Sequence, residues 1–134
     1  MRKAGYIKEN QLEKTIREIL KSKAQSKIYL FLLRKNKGRT QDIIKGTRLH
    51  PSTVREALVQ MHKHQLIRRE KLQNYTIGKN PYIYSPLPPV LLIKKYIQDM
   101  ECQLNNLVHL TESQNYNKQL SSIHITITTK EEGQ

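Results

Sequence analysis

Residues 49–63, Leu49-His50-Pro51-Ser52-Thr53-Val54-Arg55-Glu56-Ala57-Leu58-Val59-Gln60-Met61-His62-Lys63, constrain this chain more than any other stretch. Val54, Ala57, Leu58 and Met61 recur at helical spacing and define one apolar face. Ser52, Glu56, Val59 and Lys63 fall on the opposite face, flanked by Thr53, Arg55 and Gln60. Pro51 suits a first helical position, where its missing N–H costs nothing. His50 is then the N-cap, and Leu49 and Val54 sit where a hydrophobic staple sets the direction of the incoming chain. The expectation is a short helix, held by one face and presenting the other.

The flanking sequence supplies neighbours for that helix. Residues 8–22 carry the stripe Leu12, Ile16, Ile19 and Leu20 among charged residues and read as a helix. Residues 24–36 read as a second, more apolar helix ending at Lys35-Asn36-Lys37-Gly38. Arg39-Thr40 leads into a short third helix, with Thr40 as N-cap, Asp42 near the positive dipole end, and Gly46 as the left-handed stop. After the 49–63 helix, residues 67–73 and 82–86 read as two strands around a polar tip, 74–81.

Pro86-Leu87-Pro88-Pro89 breaks the chain and marks a boundary. Beyond it, Val90, Ile93, Ile97, Met100, Leu104 and Leu107 follow a three-four alternation, an a/d seam. Such a seam on a polar helix points to a homodimer contact, with packing of the helix on its own domain as the alternative. The seam fades near residue 110. Ile123, Ile125 and Ile127 alternate with His124, Thr126 and Thr128, which fits either a short strand or an unstructured tail. The expected organisation is an N-terminal helix (1–23), a central domain (24–89), a dimerisation helix (90–113) and a tail (114–134).

Charge separates these parts. The 134-residue chain has a formal net charge of +13. Residues 1–86 hold 20 Lys/Arg against 6 Asp/Glu, and residues 87–134 hold 4 against 5. A basic domain followed by a near-neutral arm points to polyanion binding by the first part alone. A lone cysteine, Cys102, excludes a disulfide framework within the chain and fits a reducing compartment, so a cytoplasmic protein is expected. No apolar run approaches the ~20 residues of a membrane span, and no signal peptide is read at Met1–Tyr6. His62 and His64 diverge on a helix, so no metal pair is read there. No phosphate loop, Ser/His/Asp set or paired carboxylates appear, so neither an enzyme nor a cofactor is expected.

Helix, short helix, turn, helix and hairpin, in that order, resemble a winged helix-turn-helix. Ala24-Gln25-Ser26-Lys27-Ile28-Tyr29-Leu30-Phe31-Leu32-Leu33 looks like the first helix of archaeal TrmB-like and bacterial MarR-like regulators. Residues 40–49 look like their second helix and turn, and Ser52–Leu58 like their recognition helix. Residues 64–70 are similar to their exit into the wing, with Gln65 where glycine is usual. Tyr82-Ile83-Tyr84 and the following prolines resemble the wing's return. The resemblance covers 24–89 and, more loosely, the helix to 110. It leaves no room for the sugar-binding domain many TrmB-like proteins carry, so no small-molecule effector is expected.

The resemblance implies a mainly α (α+β) fold, a winged helix-turn-helix with a C-terminal coiled-coil-like helix, and double-stranded DNA as partner. Recognition helix 51–64 would enter a major groove. There Arg55 can pair with guanine, Glu56 can accept from cytosine, Gln60 suits adenine, and Ser52 and Thr53 suit phosphate or base. Arg39, Thr40 and Gln41, at a helix start, favour a phosphate. Along wing 67–86, Arg68, Arg69, Lys71, Asn74, Tyr75, Lys79 and Asn80 suit backbone or minor groove. A sequence-specific homodimeric regulator is the first reading. A non-specific architectural chromatin protein, and a winged-helix module for protein or RNA, are the alternatives.

Overall fold

The computed structural model describes residues 9–72, 82–112, 122–128 and 130. They fall into two compact units, 1–88 and 89–134. The first contains α1 (Glu9–Leu20), α2 (Lys23–Lys35), α3 (Thr40–Thr47), α4 (Pro51–Lys63), β1 (Ile67–Lys71) and β2 (Tyr82–Pro86); the second contains α5 (Pro89–Glu112).

Helix α2 is the core element of the first unit. Ile28, Tyr29, Leu30 and Leu32 are buried with Ile43 of α3, Val54, Ala57, Leu58 and Met61 of α4, Ile67 and Tyr84. Ser22 caps α2 by accepting the Gln25 N–H at 3.1 Å. The helix ends at Asn36, at positive φ (72°), whose N–H reaches Leu32 O at 2.7 Å. Gly38, read from sequence as the residue just past that helix, lies in a β-bridge with Tyr84. Buried Tyr29 donates to Leu87 O at 2.5 Å, tying α2 to the chain just before the double proline. Helix α1 is shorter than the 8–22 reading. It buries Ile16, leaves Leu12 38% exposed, and joins α2 through Glu13–Lys27 at 3.3 Å.

Two expectations about α3 are corrected. Its N-cap is Arg39, not Thr40; Thr40 is the first helical residue and is buried. Asp42 Oδ2 accepts the Arg39 N–H at 3.0 Å, so the capping carboxylate works one residue earlier than expected. Gly46 does not stop the helix. The left-handed residue is Arg48 (φ 61°), whose N–H bonds Ile44 O at 2.9 Å. Gly46 lies within α3 because the Phe31 ring occupies the place of a side chain there: a Cβ would fall 2.1 Å from ring atom Cε1.

Strands β1 and β2 pair antiparallel, with Arg69 opposite Tyr84 and Lys71 opposite Tyr82. Tyr84 N–H bonds Gly38 O at 2.8 Å and Gly38 N–H bonds Tyr84 O at 3.0 Å. This single-residue third edge fastens the hairpin to the start of α3.

In the second unit, α5 runs one residue beyond the predicted start. Residues 122–128 form no strand, which corrects the period-2 reading. Their backbone is held by α5 side chains instead. Asn105 accepts the Ile123 N–H at 2.6 Å and donates to Ile123 O at 3.1 Å, while Glu101 accepts the Ile125 N–H at 3.2 Å and meets His124 Nδ1 at 2.9 Å. The isoleucine alternation is real, but a helix supplies the partners a neighbouring strand would have supplied.

Candidate nucleic-acid interface

Helix α4 is placed by its two ends and its buried face. At the start, Pro51 occupies the first helical position and His50 Nδ1 accepts the Ser52 N–H at 3.2 Å. The turn before it is set by Thr47, whose hydroxyl donates to Ile43 O at 2.7 Å and accepts the Leu49 N–H at 3.3 Å. At the far end, His64 N–H returns to Gln60 O, and Gln65 takes a left-handed conformation (φ 60°) that turns the chain toward β1. Glycine is usual at such a position because a Cβ crowds the backbone there.

With Val54, Ala57, Leu58 and Met61 buried, the other face of α4 is open. Ser52, Arg55, Glu56, Val59, Gln60 and Lys63 are exposed, and Thr53 is half-buried. Ser52 Oγ already lies 2.9 Å from His50 Nδ1, so its hydroxyl serves the cap as well as the surface. Arg39 and Gln41 are exposed at the start of α3, whereas Thr40, 6% exposed, is turned inward and drops out of the surface set.

On the hairpin, Arg68, Arg69, Glu70 and Lys71 are all exposed. The register puts Arg69 and Lys71 on the face of Tyr82 and Tyr84, and Arg68 on the other, as strand alternation requires. The Arg69 guanidinium lies 4.2 Å from the centre of the Tyr82 ring, a cation–π contact that fixes its direction. Asn74, Tyr75, Lys79 and Asn80 lie outside the described residues. From α3 through β1, eight exposed cations (Arg39, Lys45, Arg48, Arg55, Lys63, Arg68, Arg69 and Lys71) face three exposed carboxylates. One of those, Asp42, is engaged at the α3 cap.

An open cavity of about 410 Å³ lies among α1, α2 and the end of α3, with Glu13, Lys27 and Phe31 in its wall. Among the described residues, no group of three or more His, Cys, Asp or Glu side chains could hold a metal ion, and no helix is long and apolar enough to cross a membrane.

On α5 the predicted seam is graded. Val90 (49%), Ile93 (39%) and Leu107 (60%) are exposed, and Ile97, Met100 and Leu104 are half-buried. Sequence reasoning missed the hold of Asn105 and Glu101 on the tail. The available signal was a polar pair at i, i+4 beside the seam.

Three helices closed by a two-stranded hairpin, with α3 and α4 joined by a tight turn, are a winged helix-turn-helix fold. Solved structures agree. TrmBL2, an archaeal chromatin protein whose structure shows a novel mode of DNA binding, superposes with a TM-score of 0.63 at 13% identity over 80% of this chain. This chain spans only 39% of TrmBL2. A possible transcriptional regulator from Methanosarcina mazei Go1 gives a TM-score of 0.59 at 22% identity, covering 86% of this chain and 97% of its own. No family model matches the chain, and no curated protein matches it in sequence.

Proposed function

We propose that the protein is a double-stranded DNA-binding transcription regulator that acts as a homodimer in the cytoplasm, and not an enzyme. The observation that carries this reading is the open face of α4. It is polar and basic, held rigid by a fully buried opposite face, and accompanied by the cations of α3 and the hairpin. In this reading α4 lies in the major groove. Arg55, Glu56 and Gln60 meet base edges there, while Ser52 and Thr53 lie close to the strand backbone. Arg39 and Gln41 hold a phosphate, and the hairpin flanks the groove with one face only, either that of Arg69 and Lys71 or that of Arg68, together with Asn74, Tyr75, Lys79 and Asn80 of the wing tip. Phosphate contacts position the protein and base contacts specify the site. The α5 seam, through Val90, Ile93, Ile97, Met100, Leu104 and Leu107, joins two copies. Their half-sites would then lie about 34 Å apart, one turn of DNA.

The likeness to TrmBL2 favours a second reading, a chromatin protein that coats DNA without choosing sequence. One experiment separates the two. Selection of bound duplexes from a random pool, followed by affinity for the enriched site against random DNA, gives a specificity ratio. A regulator enriches a two-fold related motif and prefers it by ~10³ or more at physiological salt. A ratio near one assigns the coat. Loss of all duplex binding in favour of RNA or an acidic protein refutes both.

A further inference from the structure

The open face of α4 carries one apolar side chain that the proposed contacts do not use. Val59 is 62% exposed. Ser52 and Glu56 precede it on that face, Lys63 follows it one turn later, and Arg55 and Gln60 flank it. Among the described residues, Val59 is not part of the buried core. Its neighbours Val54, Ala57, Leu58 and Met61 form the buried face without it. A β-branched residue is also a poorer helix former than the alanine, lysine or glutamate that an exposed position accepts. What valine supplies is shape: in a helix its χ1 has one strongly preferred rotamer, so its methyl groups point in a fixed direction.

The major groove displays one apolar group, the 5-methyl of thymine. We propose that Val59 packs on a thymine methyl and so specifies thymine in each half-site. The inference rests on the DNA-binding reading above and adds a base to it. Val59 lies one turn beyond Arg55, a rise of about 6 Å along α4. That displaces its base by at most about two base-pair steps of 3.4 Å from the base that Arg55 meets. The half-site then combines a polar contact with an apolar one. The apolar contact discriminates by burial and is insensitive to salt, unlike the phosphate contacts around it.

The test uses the full chain and its selected duplex, with each thymine replaced in turn by deoxyuridine. That exchange removes only the methyl and keeps base pairing and every hydrogen-bonding group. The expected result is one position per half-site where uracil weakens wild-type binding about fourfold, the worth of one buried methyl-sized group. Val59→Ala binds the thymine duplex as weakly as the wild type binds the uracil duplex, and is indifferent to uracil there. Val59 is exposed and alanine favours helix, so the variant keeps its fold, which circular dichroism verifies. Indifference of the wild type at every thymine, or an undiminished uracil penalty in Val59→Ala, overturns the assignment and leaves the enriched motif standing. Absence of any enriched motif overturns the sequence-reading proposal itself.

Discussion

The ring of Phe31 lies so close to Gly46 that a Cβ on Gly46 would sit 2.1 Å from Cε1 and 2.5 Å from Cδ1. The ring has a glycine on its other side too: a Cβ on Gly38 would meet Cε2 at 3.2 Å. Glycine inside a helix ordinarily costs about 1 kcal/mol against alanine. At Gly46 we expect the reverse. Gly46→Ala should destabilise by about 1–3 kcal/mol, the range for overpacking, measured by urea unfolding. In a Phe31→Leu background the alanine penalty should largely disappear, because the group it collides with is gone. An equal penalty in both backgrounds would show that the ring is not the obstacle.

Tyr29 gives the first unit a sensitivity to alkaline pH. Burial pushes its phenol up to about 12 from an ordinary 10.0. The folded state therefore holds this proton more tightly than the unfolded chain does. The associated stability is complete below about pH 10 and is lost as pH rises toward 12. Tyr29→Phe should lose about 1 kcal/mol at neutral pH, since Leu87 O loses its donor. It should also fall less steeply than the wild type between pH 10 and 12. Unfolding midpoints across that range measure both effects, and parallel curves would refute the second.

Most of this fold is legible in the sequence because most of it is set by periodicity. The apolar face of α4, the breaks at residues 36–39 and the double proline, and the two strands each follow from local pattern. The misread details are those in which a distant side chain decides. Gly46 looks like a helix stop until the Phe31 ring is placed against it. Thr40 resembles a cap until burial turns it inward and Asp42 caps Arg39. Asn36, Arg48 and Gln65, all at positive φ, do the terminating work that the glycines suggested for themselves. The candidate interface divides the same way. Its open face follows from the position of its buried face. Ser52's engagement with His50 and Arg69's stacking on Tyr82 depend on geometry that spacing alone does not carry.

The tail offers a sharp local test. Asn105 satisfies both backbone groups of Ile123, and Glu101 satisfies the next inward amide, at Ile125. Asn105→Leu removes the first pair while keeping a side chain of similar size. Amide exchange at Ile123 should accelerate about tenfold or more, corresponding to the loss of hydrogen bonds worth ~1.4 kcal/mol or above. Glu101→Gln keeps an acceptor for Ile125 and should change exchange much less. The helical signal of α5 should survive both substitutions. Unchanged protection at Ile123 in Asn105→Leu would mean that packing of the isoleucines, rather than the amide, holds the segment.

The seam on α5 can be tested without disturbing the fold, because its outer members are already in water. Val90 is 49% exposed and Leu107 60% exposed, so Val90→Lys and Leu107→Lys remove the least buried surface of any substitution in the seam. Each should alter unfolding of an isolated chain by no more than about 0.5 kcal/mol, as exposed substitutions usually do. In the proposed dimer the same positions face each other. Two lysines would then meet across a low-dielectric contact, so the double variant should sediment as a monomer at micromolar concentration where the wild type sediments as a dimer. Binding to a two-fold related duplex should weaken in step, since half-sites gain affinity only when joined. Affinity for a single half-site should remain, because α4 and the wing are untouched. A wild type that is itself monomeric under these conditions would remove the seam from the dimer reading and leave the α4 interface to stand on its own.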